Sequence, residues 1–278
     1  MSEPHAPDRY AVIGHPIAHS KSPLIHGLFA QATGQVMEYT AIEAPLDGFS
    51  TVVQAFRAQG GRGLNVTLPF KLQAFELATD PLESARLAGA VNALKFEGDR
   101  IYADNFDGLG LVNDIQRNLG VSLAGKRVLL CGAGGATRGA IVPIALQKPA
   151  LLAVANRSAD KAHQLKRDFA AHVALQTGGF EDLAGESFDV VLNATSTGLT
   201  QAALPLPAGV FATGALAYEL VYGKGLTPFL KQAQAAGATH IADGVGMLVE
   251  QAAEAFAWWR GVRPDTRPVI DRLTVPLV

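Results

Sequence analysis

Arg127-Val128-Leu129-Leu130-Cys131-Gly132-Ala133-Gly134-Gly135-Ala136-Thr137-Arg138-Gly139 is the stretch whose reading decides the fold. A short apolar run ends in a cluster of glycines, and an Ala/Ile-rich segment from Ala140 to Leu146 follows at once. That order reads as strand, tight turn, helix. A pyrophosphate can rest on the N–H groups of a helix N-terminus only where no Cβ stands in the way, so glycines at this turn point to a dinucleotide site. Taken alone the signal is weak, because an ordinary βα turn also uses glycine. The third glycine of a strict G-x-G-x-x-G is replaced here by Thr137. The flanking sequence has to decide.

Composition narrows the choice. The 278 residues suffice for one large or two medium domains, and 49% hydrophobic against 17% charged residues describes a core-rich globular chain rather than a disordered one. A formal charge of −2 and the lack of a Lys/Arg block argue against nucleic acid or a membrane surface as partner, leaving a small molecule. Met1 to Arg9 is polar and lacks the apolar centre of a signal peptide, and Arg138, Pro143 and Lys148 interrupt the most apolar region. A cytoplasmic location is therefore expected. The single cysteine, Cys131, closes a strand beside Gly132 and reads as a buried structural thiol. No heptad or obvious apolar patch marks an interface, and the expectation is a monomer or homodimer.

Working outward from the glycine turn, each side shows alternating elements. Upstream, strand-like runs at Tyr10–Ile13, Val36–Ile42 and Gly63–Val66 are separated by helix-like segments at Ser22–Ala32 and Leu46–Gln59, the pattern of a mainly parallel sheet with helices packed on it. Ser22 before Pro23 reads as a helix cap. A helical stretch from Phe70 to Ala88 is broken at Asp80-Pro81, and Val91–Phe96 with Arg100–Ala103 reads as a hairpin. Downstream come a helix Asp107–Asn118, the strand at the glycine turn, a strand Leu151–Ala155 and a helix Ser158–Ala171. They are followed by a short strand near Val173, strands Phe188–Leu192 and Ala215–Val221, a helix Thr227–Ala236 and a strand His240–Ala242. The predicted class is α/β with two domains. Residues 1–106, completed by 243–278 with its helix Val245–Arg260, form one domain, and residues 107–242 form a Rossmann-type dinucleotide-binding domain.

The chemistry-bearing residues sit at strand ends, where ligands of open α/β sheets collect. Asn156-Arg157-Ser158, with Lys161 a turn later, lies about two dozen residues past the glycine turn, close to the ~20-residue spacing of the ribose-reading position. A guanidinium there suits a 2′-phosphate, so Arg157 points to NADP rather than NAD. In the first block Ser20 and Ser22, then Asn65, Thr67 and Lys71, then Asn92, and finally Asn105 and Asp107 form clusters that suit a polyhydroxylated carboxylic acid. Each residue singly has an ordinary explanation as a cap, turn or solvated charge. Together they do not.

These residues stand in an ordered series: Ile-Gly-x-Pro-Ile-x-His-Ser-Lys-Ser-Pro-x-Ile-His (Ile13–His26), Asn-Val-Thr-x-Pro-x-Lys (Asn65–Lys71), Gly-Ala-Val-Asn (Gly89–Asn92), Asn-x-Asp-Gly (Asn105–Gly108) and Gly-Ala-Gly-Gly-Ala (Gly132–Ala136). It continues with Asn-Arg (Asn156, Arg157), Asn-Ala-Thr-Ser-x-Gly (Asn193–Gly198), Lys-Gly-x-Thr-Pro-Phe-Leu (Lys224–Leu230) and Asp-Gly-x-Gly-Met-Leu-Val-x-Gln-Ala-Ala (Asp243–Ala253). The series covers almost the whole chain and resembles the shikimate dehydrogenase family. The resemblance implies an N-terminal substrate domain and a Rossmann-type domain with a cleft between them, and reversible reduction of 3-dehydroshikimate to shikimate with NADPH. It implies substrate contacts from Ser20, Ser22, Asn65, Thr67, Asn92, Phe106, Tyr222 and Gln251, with Lys71 and Asp107 as the catalytic pair. For the cofactor it implies Gly132, Ala133, Gly134, Gly135, Ala136, Asn156, Arg157, Lys161, Thr195, Gly198, Gly244 and Met247. An alcohol that gives up hydride must also lose its hydroxyl proton, and an amine held beside a carboxylate suits that step.

Three positions depart from the family pattern. His15 replaces the asparagine of Gly-Asn-Pro, Ala93 the threonine of Val-Asn-Thr, and Phe106 the threonine of Asn-Thr-Asp, where the resemblance implies a substrate contact. A lost hydrogen bond there costs ~1 kcal/mol, and His15 is a candidate replacement donor. The departures leave open a dehydrogenase for quinate or a related ring acid, and a ligand-binding regulator that has lost turnover. His15, His19 and His26 are not expected to hold a metal, because Pro16 prevents the helical face such a site uses.

Overall fold

The computed structural model describes residues 6–197 and 202–278. Its chain forms an α/β structure with two compact units, one comprising Met1–Phe106 and Val249–Val269 and the other Asp107–Leu248 and Ile270–Val278. Residues 243–248 and the last nine residues thus group with the second unit, whereas the sequence reading assigned everything from residue 243 on to the first.

In the first unit β1 (Asp8–Gly14), α1 (Ser22–Thr33), β2 (Met37–Glu43), α2 (Phe49–Ala58) and β3 (Gly61–Val66) form the predicted βαβαβ series. Then come α3 (Lys71–Leu77), β4 (Asp80–Pro81), α4 (Glu83–Ala88), β5 (Ala93–Glu97) and β6 (Arg100–Asp104). The break expected at Asp80-Pro81 is a two-residue strand pairing with β6. The sheet order is β2-β1-β3-β5-β6-β4, parallel through its first three strands and antiparallel across β3, β5 and β6. Ser22 does not cap α1: it is the first helical residue, Lys21 is the N-cap without a side-chain bond, and Pro23 fills the first turn, whose missing N–H costs the helix nothing.

Alternation along β1 divides the core in two. Ala11 and Ile13 face a cluster with Phe49, Val53, Phe56, Leu64 and Phe70 on one side of the sheet. Tyr10 faces the opposite cluster, with Ala93, Phe106, Ala255 and Trp259. Trp259 stacks on Tyr10 at 4.9 Å and donates its indole N–H to Leu94 O at 3.0 Å. A Cβ on Gly63 would come within 2.7 Å of that indole nitrogen, which is why β3 is glycine there. Truncating Trp259 to alanine would cost ~3–5 kcal/mol.

The second unit holds a sheet of order β12-β11-β10-β7-β8-β9 with every pairing parallel. Its elements are α5 (Asp107–Asn113), β7 (Arg127–Cys131), α6 (Gly135–Ala145), β8 (Leu151–Ala155), α7 (Ala159–Asp168), β9 (Gln176–Gly178), β10 (Phe188–Asn193), β11 (Phe211–Glu219), α8 (Pro228–Ala235) and β12 (His240–Asp243). Helix α9 (Val245–Arg260) starts in this unit and ends in the first, and α10 (Arg267–Leu273), which the sequence reading missed, lies close to the C-terminus.

Three details differ from the sequence reading for identifiable reasons. The helix from Asp107 loosens into a π-helical turn at Asp114–Asn118, where Asn118 Nδ2 bonds back to Asp114 Oδ1 at 2.9 Å. The strand expected near Val173 lies at Gln176–Gly178, because Val173 N still bonds to Phe169 O at the end of α7. Strand β11 begins at Phe211 rather than Ala215; the register shifts between Phe188 and Val190, and Gly214 at φ 80° takes up the irregularity.

Candidate functional site

In the first unit the site residues are gathered by hydrogen bonds that side-chain amides at the ends of β3 and β5 make to one another and to the main chain. Asn65, near the end of β3, accepts from the Tyr39 phenol at 2.6 Å through Oδ1 and donates through Nδ2 to Asn92 O at 3.3 Å. Asn92 donates in turn to Gln251 Oε1 at 3.2 Å and accepts at Oδ1 from Phe106 N at 2.9 Å. Thr67 and Lys71 join this group through the backbone: Thr67 N bonds to Ile13 O, Phe70 N to Thr67 O, and Val91 N to Lys71 O. Ser20 Oγ accepts from Ser22 N at 3.3 Å, which leaves its hydroxyl hydrogen to donate elsewhere. The Ser22 hydroxyl faces the half-buried Tyr39 phenol, whose pKa desolvation raises well above its ordinary value.

One expectation needs correction. Phe106 was expected to fill ligand space beside Asp107. Its ring is only 8% exposed, packed in the Tyr10–Ala93–Ala255–Trp259 cluster and edge-on to Trp258 at 5.7 Å. The two apolar departures, Phe106 and Ala93, thus share one cluster, the small residue beside the large one. What Phe106 offers the polar group is its backbone N–H, to Asn92. His15, the candidate replacement donor, has its Nδ1 3.1 Å from Ala44 O and 3.4 Å from Glu43 Oε1, at the end of β2.

The sequence reading missed the roles of Tyr39 and His26. His26 is completely buried and parallel to the Tyr39 ring at 4.1 Å and 5°. Neither of its ring nitrogens has a hydrogen-bond partner. Burial pushes its pKa down to about 3, and Asn65 opposes this only weakly, without hydrogen-bond geometry, so the imidazole is neutral. Its place in the Ile13–His26 motif was the available signal.

In the second unit the glycine turn is built largely from backbone. Gly132 takes φ 109°, and a Cβ there would press on Thr195 and Ala194 at 3.0–3.2 Å. A Cβ at Gly134 or Gly135 would meet nothing within 4 Å, so these glycines leave open space over the start of α6. Thr137, in place of the third glycine, is fully buried and donates its hydroxyl to Gly132 O at 2.8 Å, closing the turn on itself.

A cavity of about 580 Å³ opens at this turn, walled by Gly132, Ala133, Gly134, Asn156, Arg157, Ser158, Lys161 and Thr195 among others. Arg157 and Lys161 are exposed cations on its wall, and α6 begins at Gly135 with its N–H groups at this end. Open space over a helix N-terminus, flanked by two cations, fits a phosphorylated dinucleotide. Gly135 and Ala136 belong to the first turn of α6. Gly244, Met247 and Tyr222 are not among the cavity's walls; they follow β11 and β12. Gly244 is required there because a Cβ would fall 2.1 Å from Leu220 O. Gly198 lies outside the described residues. Asp107 opens α5, and Gly108 after it is needed because a Cβ would fall 2.2 Å from Gly139 O of α6.

A buried carboxylate that the sequence reading passed over supports the Thr195 wall. Glu219, at the end of β11, accepts from Asn193 Nδ2 at 2.8 Å and Thr227 Oγ1 at 3.2 Å, and Asn193 Oδ1 accepts from Thr195 N and Oγ1. Burial raises the Glu219 pKa, and burial together with this neighbour pushes the Cys131 thiol up, so Cys131 is a protonated core residue and no nucleophile. Among the described residues no helix is long and apolar enough to cross a membrane.

Three family models match in chain order. Residues 12–94 match the shikimate dehydrogenase substrate binding domain, 114–201 the shikimate / quinate 5-dehydrogenase model, and 244–274 the shikimate 5'-dehydrogenase C-terminal domain. The chain is 56% identical over 271 residues to the shikimate dehydrogenase (NADP(+)) of Dechloromonas aromatica, covering 98% of this chain and 99% of that protein. Among solved structures, an Ael1 enzyme from Pseudomonas putida is 60% identical with a TM-score of 0.94, covering 98% of this chain and all of that one. Shikimate 5-dehydrogenase from Thermus thermophilus, in complex with NADP(H) and shikimate, is 32% identical with a TM-score of 0.85, covering 95% and 97% of the two chains. With a matching series of models, more than half identity over nearly its full length, and the same two-sheet α/β architecture, this chain belongs to the shikimate dehydrogenase family.

Proposed function

We propose that the protein is an NADP-dependent shikimate dehydrogenase, interconverting shikimate and 3-dehydroshikimate. The observation that carries the reading is the cradle at Gly132–Gly135 with Arg157 and Lys161 on its wall, in a chain 56% identical to an enzyme named for this activity with NADP(+). Most substrate-binding residues lie in residues 1–106 and in α9 from Val249 onward, and the unit that begins at Asp107 binds cofactor.

When bound, NADP supplies the acceptor for the hydride that leaves the carbinol carbon of shikimate, and NADPH returns it in the reverse direction. The chain's own residues do the rest. Gly132, Ala133, Gly134, Gly135 and Ala136 present backbone N–H groups to the pyrophosphate, Asn156, Arg157 and Lys161 hold the ribose and its 2′-phosphate, and Thr195, Gly198, Gly244 and Met247 complete the binding surface. Ser20 and Ser22 hold the substrate carboxylate. Asn65, Thr67, Asn92, Gln251 and Tyr222 bind the ring hydroxyls. As the alcohol becomes a ketone, Lys71 takes the hydroxyl proton at Nζ, and Asp107 orients that hydroxyl through its carboxylate; in reduction Lys71 returns the proton. The enzyme acts in the cytoplasm as a monomer or homodimer.

A second reading, activity on quinate or a related hydroxylated ring acid, is favoured by one observation: Phe106 and Ala93 lie together in the cluster beside Asn92, and Phe106 is bonded to Asn92. Initial rates of NADPH appearance with shikimate and with quinate, each with NADP and NAD, test both readings. Turnover of shikimate with NADP as the best pair upholds the first. A preference for quinate upholds the second, and no turnover of either defeats both.

A further inference from the structure

The orientation of the Asn65 amide is fixed by its surroundings. Its nitrogen faces Asn92 O, which as a carbonyl can only accept and already receives Val66 N at 2.8 Å. Turned over, the amide would set its own oxygen against that carbonyl, two acceptors with no proton between them. Its oxygen therefore faces the Tyr39 phenol, which is half-buried, neutral and donates at 2.6 Å. Asn65 is buried, and leaving its oxygen without a donor is costly, so this bond holds as long as Tyr39 stays in place. The neutral His26 ring, parallel to Tyr39 at 4.1 Å, keeps it there by apolar stacking and not by charge.

We infer that Tyr39 is a positioning residue that locks Asn65 as a hydrogen-bond donor toward the bound ligand. The inference rests on the proposed function, because it takes Asn65 to meet the substrate. With Oδ1 engaged by Tyr39 and one N–H by Asn92, Asn65 has its second N–H to offer. It recognises an oxygen through its lone pairs, a carbonyl or a hydroxyl oxygen, and it does not recognise a donor. Shikimate and its ketone both supply such oxygens, so one fixed donor serves both directions of the reaction. Without the phenol the amide has no acceptor-side anchor and can rotate, and binding loses a prepaid orientation.

Tyr39→Phe is the direct test, since it keeps the ring stacked on His26 and removes only the hydroxyl. It is expected to raise KM for shikimate about five- to tenfold, with kcat changed less than twofold and KM for NADP unchanged. In an Asn65→Ala background the same substitution is expected to add less than twofold, because its route to the substrate is gone. An unchanged KM, an equal factor in both backgrounds, or a parallel loss of kcat and NADP affinity overturns the inference. A second readout does not depend on turnover. The side-chain amide protons of Asn65, assigned by their absence in Asn65→Ala, exchange slowly with solvent in the wild type and are expected to exchange at least tenfold faster in Tyr39→Phe. Equal exchange overturns the lock. A wild type that fails to oxidise shikimate defeats the proposed function while this comparison still decides the role of Tyr39.

Discussion

The two units prepare for their ligands by different means. In the second, backbone and empty space do most of the work: glycines hold Cβ atoms away from the start of α6, and Thr137 closes the turn by bonding to Gly132 O. In the first, a chain of hydrogen bonds runs from the Tyr39 side chain through Asn65 and the main chain and side chain of Asn92 to Gln251. A backbone cradle restricts residue type at adjacent positions and so writes itself into a short stretch of sequence. A side-chain network joins residues that are 26, 27 and 159 positions apart, and no local pattern records it.

The largest expected effect lies with the proton and not with either binding device. Lys71→Ala should lower kcat by about 10²- to 10⁴-fold while shikimate still binds, measured by NADPH absorbance and by titration of the ligand. Retained turnover would remove Lys71 from the reaction. Next comes the cradle itself. A Cβ at Gly134 meets no protein atom within 4 Å and its φ is −92°, so Gly134→Val should leave the melting temperature unchanged. The added side chain should nonetheless weaken NADP binding roughly ten- to a hundredfold, as expected for lost hydrogen bonds to a charged group. A stable variant with normal NADP affinity would show that the open space is not the cofactor's.

A smaller effect concerns the aromatic support of the amide chain. His26 has a native pKa of about 3 against 6.5 for the free side chain. Below pH 6.5 the unfolded chain binds a proton that the folded chain refuses, so this contribution is fully present above pH 6.5. It is lost as pH falls toward 3, at up to about 1.4 kcal/mol per pH unit. Urea midpoints from pH 7 to pH 4 should therefore fall more steeply in the wild type than in His26→Leu, and parallel slopes would mean that His26 is protonated in place. The smallest effect is expected at Phe106. Because its ring belongs to the core cluster with Ala93 and Trp259, Phe106→Thr should change shikimate kcat/KM by no more than a few-fold while lowering the melting temperature. A large gain in shikimate turnover would restore Phe106 as a substrate-facing residue.

Much of the fold was legible in the chain. β7, the glycine turn and the parallel order of the second sheet follow from apolar runs alternating with helical periods, because buried parallel strands require them. The place of Arg157 on the wall of the cavity at the glycine turn follows from its spacing past the turn. Less legible was anything decided by packing over distance. Phe106 read as a group beside Asp107, whereas the face on which its ring lies is set by Trp258 and Trp259, some 150 residues later in the chain. Ser22 read as a cap because Ser-Pro is a good helix start, yet the helix begins one residue earlier. Tyr39 alternates on β2 like any half-buried aromatic, and nothing nearby in sequence indicates that its hydroxyl meets Asn65.

The division between a backbone cradle for cofactor and a side-chain network for substrate is tested most directly by measuring both Michaelis constants in Arg157→Ala and Gln251→Ala. Arg157→Ala is expected to raise KM for NADP about tenfold and leave KM for shikimate unchanged, and Gln251→Ala to do the reverse. If either substitution raises both constants by the same factor, or if neither constant moves, the two units do not divide the ligands in this way.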